Sequence, residues 1–346
     1  MSLLTSRGNL KSKTITNAVL LDKRTDKIVK YWRKSGFPYI EKSKKFREEK
    51  FKSFMKTNDR SSFDFNNRIF KFNNAGLSLA WSYHPHAFKV RCNNYMSPYD
   101  SFNNVLFWKG VRKVLTGSFF AKTPFEVLLS QSHTAKDKIR SVLRRITGSQ
   151  MVSNFRPVTA SMIYKLFCDP GDTVWDMSCG WGGRLLASVK SKVNYIGTDP
   201  NTKTMKGLKQ FIKTFGNKAY HYELLTMGSE TYRPKKESLD FAFTSPPYFD
   251  TEKYSNEKTQ SYLKYKNINT WKEKFLRKTF ENVYYGLKTN KFCALNVADV
   301  RNYETFERDT VNIAKSVGFK SVDTFYYILP SQHTEFKSEP IFIFKK

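Results

Sequence analysis

The stretch DTVWDMSCGWGGRLLASVKSKVNYIGTDPN, residues 172–201, decides the fold of this chain. Residues 172–178 are typical of a strand, residues 183–191 have helical periodicity, and residues 193–200 are again typical of a strand. Strand, helix and strand at this spacing predict a right-handed βαβ unit, in which the two strands are parallel.

The same alternation continues to the end of the chain. Further helices are predicted at residues 159–168, 202–215, 270–288 and 303–318, and further strands at residues 239–245, 291–300, 320–329 and 339–346. The predicted fold class is therefore α/β, with a mainly parallel sheet covered by helices on both faces. Because no helix separates the last two strands, they are expected to form an antiparallel hairpin at one edge of the sheet.

The loop after the first strand of this unit is predicted to bind a cofactor. Gly180, Gly182 and Gly183 allow the backbone to approach a ligand closely, at the start of a helix. The loop matches neither the Walker nor the G-x-G-x-x-G pattern, so phosphate is not the expected ligand. Asp199, at the end of the next strand, is placed to accept hydrogen bonds from both hydroxyls of a ribose. Together they indicate a nucleoside such as S-adenosylmethionine, the alternative being that the glycines only make a tight turn.

A second site is predicted in the segment FTSPPYF, residues 243–249, at the end of the strand predicted at residues 239–245. The exocyclic amino group of a base is a poor nucleophile, because its lone pair is delocalised into the ring. The Ser245 hydroxyl and the Pro246 carbonyl could both accept hydrogen bonds from that amino group and favour its pyramidal form. Pro247 restricts the backbone, and Tyr248 offers a ring on which a base can stack.

The motifs DMSCGWGGRL, YIGTDPN and TSPPYF, in this order, resemble the amino-methyltransferase branch of the S-adenosylmethionine-dependent DNA methyltransferases. The resemblance extends over residues 154–346 and includes phage and bacterial members, which act in DNA modification, restriction or anti-restriction. It implies the seven-stranded class I methyltransferase sheet and methylation of cytosine N4 or adenine N6 at a specific site. The residues implied to contact the methyl donor are Asp176, Ser178, Gly180, Gly182, Gly183 and Asp199. Those implied to contact the flipped base are Ser245, Pro246, Pro247 and Tyr248.

Charge indicates the partner. Sixty Lys and Arg residues against thirty Asp and Glu residues give a formal net charge of +30. Residues 1–150 hold 30 basic and 10 acidic residues, a surplus of 20, whereas residues 151–346 hold 30 and 20, a surplus of 10. Such a surplus, interleaved with aromatic residues, favours a nucleic-acid partner. The resemblance implies that this nucleic acid is DNA. There are two alternatives to a nucleic-acid partner. The basic surplus could be a solvated surface in a protein whose composition has drifted, or it could bind a membrane surface.

Two domains are predicted. Residues 1–150 are expected to form a basic α+β region that binds nucleic acid and recognises the target, and residues 151–346 the methyltransferase domain. Fewer than seventy residues separate the two motifs, so no recognition insertion fits between them. Within the first region, helices are predicted at residues 41–56, 104–115 and 135–146, and residues 62–106 are predicted to be irregular or β-rich.

No metal site, disulfide or membrane span is predicted. The four cysteines lack zinc or disulfide spacing, and His84 and His86 have no third ligand nearby in the sequence. The apolar runs are too short to cross a bilayer, which favours a cytoplasmic protein. The resemblance implies a bacterial or phage-infected host cell.

Other functions remain open at this point. The same motifs suit an RNA base methyltransferase, a nucleic-acid-binding protein that keeps the fold without activity, or an enzyme that transfers a group other than methyl. The sequence also leaves open cytosine or adenine, the recognition sequence and the oligomeric state.

Overall fold

The computed structural model describes residues 4–117, 123–329 and 338–346, with side chains from residue 17 onwards. Its helices are α1 (Leu4–Ser35), α2 (Lys44–Met55), α3 (Leu77–Ser82), α4 (Pro98–Phe102), α5 (Val105–Thr116), α6 (Phe125–Leu128), α7 (His133–Arg145), α8 (Pro157–Phe167), α9 (Gly183–Ser191), α10 (Thr202–Phe215), α11 (Ser261–Lys264), α12 (Ile268–Trp271), α13 (Lys278–Gly286) and α14 (Phe306–Val317). Its strands are β1 (Phe63–Asp64), β2 (Ile69–Phe70), β3 (Arg91–Cys92), β4 (Thr173–Asp176), β5 (Asn194–Thr198), β6 (Tyr222–Leu225), β7 (Leu239–Thr244), β8 (Glu252–Lys253), β9 (Leu287–Asn296), β10 (Lys320–Ile328) and β11 (Ser338–Lys345).

The chain divides into two compact units. The helical unit comprises Met1–Ile40 and Ala87–Val152, and the sheet unit comprises Glu41–His86 and Ser153–Lys346. The predicted boundary lay at residue 150, so the structure differs in grouping residues 41–86 with the sheet. The functions predicted for residues 1–150 and 151–346 stay predictions.

The helical unit is built on helices α1, α5 and α7. Asn104 caps α5 by accepting from the Leu106 N–H, and Gly117, with φ of +77°, ends it. Gly110 lets α5 approach α7 closely, since a Cβ added there would lie 2.3 Å from Val142 Cγ1. The helices predicted at residues 104–115 and 135–146 are confirmed as α5 and α7.

Within the described residues, the main sheet of the sheet unit has nine strands in the order β1-β2-β10-β11-β9-β7-β4-β5-β6. Strands β6, β5, β4, β7 and β9 are parallel, and β11 is antiparallel to both β9 and β10. The seven neighbouring strands β6, β5, β4, β7, β9, β11 and β10 make the class I methyltransferase sheet. The predicted fold is confirmed.

Three features of the sheet unit differ from the sequence prediction. The hairpin of β10 and β11 does not lie at the edge, because β2 pairs in parallel with β10 and β1 extends the sheet further. Strand β6 was not predicted, since it is short and only partly buried. Residues 62–106 form mainly short helices and turns, with three strands of two residues each.

The core lies on both faces of this sheet. Along β7, Phe241 and Phe243 pack into one apolar cluster, and Leu239 and Ala242 pack into the other. Because both faces are covered, every residue of β7 is buried, which explains why LDFAFT is an almost continuous apolar run.

Candidate functional site

The site lies at the carboxyl edge of the sheet. Strands β5, β4 and β7 are neighbours and run in the same direction, so the loops that follow them meet there. This edge is where open α/β sheets bind their ligands. The two motifs predicted from the sequence are therefore brought together.

Asp176, the last residue of β4, ties the loops to each other. Its fully buried carboxylate accepts hydrogen bonds from Arg184 Nε (2.8 Å), Tyr195 Oη (2.7 Å) and Thr244 Oγ1 (3.2 Å). Thr244 ends β7, immediately before Ser245. We call Asp176, Arg184, Tyr195 and Thr244 the Asp176 cluster.

Protein groups thus engage the carboxylate that was predicted to contact a donor. Ser178 N–H donates to Asp176 at 3.3 Å, and the Ser178 carbonyl accepts from Arg184. These contacts show Asp176 and Ser178 shaping the loop. A direct contact of either residue with the donor stays a prediction.

The glycines of the loop have different surroundings. Gly180 and Gly182 have φ of +47° and +80°, in the region that favours glycine. A Cβ added at Gly180 would meet only the Ser178 carbonyl, at 3.6 Å, so the space beside Gly180 is open. A Cβ added at Gly182 would lie 2.7 Å from Leu208 Cδ2, and a Cβ added at Gly183 would lie only 1.9 Å from the Phe155 carbonyl oxygen. Gly180 therefore faces room for a ligand, whereas Gly182 and Gly183 permit close packing.

Asp199 lies directly beside the glycine loop. One carboxylate oxygen accepts from the Gly180 N–H (3.0 Å) and the other from the Asn201 N–H (2.8 Å). Asn201 also caps α10 by accepting from the Lys203 and Thr204 N–H groups, so the cap and the acid are fixed together. Burial raises the pKa of Asp199 to about 6 against these two hydrogen bonds, which lower it. Each oxygen keeps a second lone pair for a hydroxyl donor.

The loop after β7 carries the second motif. Pro246 is buried, whereas Ser245, Pro247 and Tyr248 are partly buried. Burial raises the pKa of Tyr248 well above its ordinary value. The Tyr248 ring meets Phe306 edge to face, with ring centroids 5.1 Å apart. The tyrosine is therefore held in a fixed position at the edge of the site.

The backbone at the end of this loop is strained. Phe249 has φ of +50°, which is unfavourable for a residue with a Cβ, and its ring packs on Trp271 at 5.7 Å. The aromatic contact stabilises a turn that the sequence alone would not favour. Strain of this kind is concentrated at functional loops.

An aromatic cluster surrounds Trp181, in the glycine loop, and it was not predicted from the sequence. Its indole lies 5.6 Å from Trp81, 5.7 Å from His84 and 5.3 Å from His86 between ring centroids. Burial lowers the pKa of His84 to about 3 and that of His86 to about 4, so both are neutral near pH 7. The histidines are packing partners of the loop. The aromatic segment WSYHPH was the only sequence signal, and it lies about a hundred residues away.

The described residues contain no group of three or more His, Cys, Asp or Glu side chains that could hold a metal ion. In the same part of the chain, no helix has both the length and the apolar character needed to cross a membrane.

Comparisons with known proteins found likeness only among solved structures. No protein-family model and no curated protein matches this chain. It is similar to a TehB-like SAM-dependent methyltransferase from Corynebacterium glutamicum, with 12% identity over 56% of this chain and 89% of that chain and a TM-score of 0.39. A SAM-dependent methyltransferase from Methanosarcina mazei has 13% identity over 53% of this chain and 96% of that chain, with a TM-score of 0.39.

A third similar structure is a SAM-dependent O-methyltransferase from Thermotoga maritima. It has 11% identity over 56% of this chain and 67% of that chain, with a TM-score of 0.37. Likenesses this distant carry no weight for the substrate or mechanism of this chain, which depend on its own geometry.

Proposed function

We propose that this protein transfers a methyl group from S-adenosylmethionine to an exocyclic amino group of a base in nucleic acid, most simply cytosine N4 or adenine N6 of DNA. One observation carries the proposal: the Asp176 cluster joins the glycine loop, whose Gly180 N–H donates to Asp199, to the Ser-Pro-Pro-Tyr loop. The loops that we propose for the donor and for the amino group thus lie at one edge of the sheet.

The residues at the first loop fit the donor. Asp199 offers two oxygens to the ribose hydroxyls, and Gly180 leaves the backbone open for close approach. A nucleoside without a polyphosphate suits a loop that lacks a phosphate-binding pattern. When bound, S-adenosylmethionine supplies an activated methyl group.

The second loop supplies what an amino-group acceptor needs. The Ser245 hydroxyl and the Pro246 carbonyl would accept the two N–H groups, which directs the nitrogen lone pair out of the plane of the base. Tyr248, fixed against Phe306, would hold the base by stacking.

The test is methyl transfer itself. Incubation with tritiated S-adenosylmethionine and duplex DNA, single-stranded DNA or RNA, followed by nucleoside mass spectrometry, identifies the substrate, the base and the methylated atom. Ser245→Ala should lower turnover by about 10²-fold, the effect of losing one such hydrogen bond in a transition state. Nucleic-acid affinity should change little, because the charged surface is intact.

Ser321→Ala is the matched control, since Ser321 is exposed near the amino end of β10, on the opposite edge of the sheet. Wild-type turnover in Ser245→Ala, with donor binding intact, would refute the role of the Ser-Pro-Pro-Tyr loop. Methylation of RNA alone would move the proposal to RNA bases. Absence of transfer to any nucleic acid would favour the silent nucleic-acid-binding protein.

A further inference from the structure

A row of packed side chains runs from the surface to β7, the strand that ends immediately before Ser245. At its outer end is Phe72, which is 47% exposed. The Arg156 guanidinium lies 4.1 Å from the Phe72 ring centroid and 4.5 Å from that of Tyr327. Tyr327 stacks on Phe155 with centroids 4.9 Å apart and planes 14° apart. Phe155 then meets Phe243 edge to face at 5.1 Å, two residues before Ser245.

Arg156 is held rigidly under Phe72. The residue is 3% exposed, its Nη1 donates to the Ile328 carbonyl at 2.5 Å, and its backbone N–H donates to Tyr327 Oη at 3.2 Å. Burial and these hydrogen bonds hold the guanidinium in one position. It presents a flat cationic support for the exposed ring of Phe72.

Phe72 is also on the same edge of the sheet as the site. It follows β2, and β2 runs parallel to β10 through the pairs Tyr326 with Ile69 and Tyr327 with Phe70. The carboxyl end of β2 therefore lies on the same edge as those of β7 and β4. Lys71, exposed beside Phe72, adds a positive charge there.

We propose that Phe72, supported by Arg156, is a stacking platform for a nucleobase that flanks the reacting base in the nucleic-acid substrate. The proposal rests on the proposed function, which it extends from the reacting base to its neighbour. An exposed ring backed by a fixed cation suits a nucleobase, since every base has a π-face and a phosphate nearby. The strongly basic chain favours a polyanion as the occupant over a protein or a second copy of this chain.

The test measures binding without the donor, so that it does not depend on methyl transfer. The probe is fluorescein-labelled oligo(dT), titrated in an anisotropy experiment. Loss of one stacking face costs about 1–3 kcal/mol, so Phe72→Ala should weaken binding by about 5- to 150-fold. The slope of affinity against salt should stay as in wild type, because no charge is removed.

The chain offers a matched control in Phe65. This phenylalanine is 39% exposed and lies 5.2 Å from the Arg60 guanidinium, but it follows β1, which is antiparallel to β2, and so lies at the opposite edge. Phe65→Ala should leave affinity for oligo(dT) close to wild type. Phe72→Trp should keep the affinity, and the added indole should be quenched when oligo(dT) binds.

Equal affinities of Phe72→Ala and Phe65→Ala would overturn the proposal, as would an added indole at position 72 that oligo(dT) leaves unquenched. Loss of self-association in Phe72→Ala without loss of oligo(dT) binding would also overturn it, in favour of a contact between copies. Calorimetry with S-adenosylmethionine separates the two proposals, since Phe72→Ala should bind the donor as wild type does. If the wild-type chain binds oligo(dT) through Phe72 but does not bind the donor, only the proposed function fails.

Discussion

Asp199 is the residue on which donor binding should depend most strongly. Its two carboxylate oxygens each accept one backbone N–H, and burial raises its pKa to about 6. Between the ordinary value of 3.8 and about 6, the folded chain binds a proton that the unfolded chain has lost. The stability contributed by this group is therefore greatest at low pH and declines as pH rises through that window.

The ionised form of Asp199, although costly to the free protein, is the better acceptor for ribose hydroxyls. Affinity for S-adenosylmethionine should thus be level above about pH 7 and fall by up to tenfold per pH unit below about pH 6. Isothermal titration calorimetry across this range measures it. Asp199→Asn should bind weakly and without this pH dependence, and an equally flat profile in the wild type would contradict the role of the carboxylate.

At the same scale, the sequence showed which residue types a nucleoside site needs but not what each would touch. Gly180 and Gly183 look alike in the sequence, yet only the surroundings of Gly183, with the Phe155 carbonyl against it, reveal a packing role. Phe155 is about thirty residues away in the chain. Contacts of this kind depend on tertiary packing, which local patterns do not encode.

Among the structural elements, the loops after β4 and β7 depend on one buried ion pair. Arg184, on α9, and Asp176, on β4, are both buried and lie 2.8 Å apart. Removing one partner leaves the other charge buried and unpaired. The two loops of the site are therefore coupled to the stability of the βαβ unit.

Asp176→Ala should lower the free energy of unfolding by about 3–5 kcal/mol, the cost of breaking a buried ion pair. Urea denaturation followed by circular dichroism measures the change. Glu273→Ala, which breaks the more exposed i,i+4 pair with Arg277, is the control and should cost less than about 1 kcal/mol. Equal losses in the two variants would show that the Asp176 cluster does not stabilise the fold.

Elements with strong periodicity were the predictable ones. Helices α9 and α10 begin and end where the sequence predicted, because their apolar faces and the cap at Asn201 are local signals. Strand β6 was missed because it is four residues long and only partly buried. Strand β2 was not distinguished from a turn, since its place in the sheet is set by pairing with β10, far away in sequence.

At the scale of the whole molecule, the division into two compact units does not coincide with the division into a more basic and a less basic part of the chain. Residues 1–150 carry two thirds of the basic surplus, but residues 41–86 belong to the sheet unit. Phe54, Phe63 and Phe70, from that segment, are buried in the same apolar cluster as β7. A chain that begins near residue 149 would lose this part of the core, so truncation cannot isolate the binding function.

Charge substitution on the intact chain tests the basic region without this loss of core. Lys23, Lys30 and Lys34 are exposed on one face of α1, in the helical unit. If they contact phosphates, replacing all three by Gln should reduce the slope of log affinity against log salt by about 2–3, close to 0.9 for each contact. Affinity for duplex DNA by anisotropy, measured over a series of salt concentrations, gives the slope.

The matched control is the triple replacement of Lys206, Lys209 and Lys213, exposed on α10 of the sheet unit. If the helical unit supplies the phosphate contacts, this variant keeps the wild-type slope, because counterion release depends only on the phosphates that are neutralised. A larger loss of slope in the α10 variant than in the α1 variant would place the polyanion on the sheet unit. It would also show that the basic surplus of residues 1–150 does not account for nucleic-acid binding, whether or not the protein binds the donor.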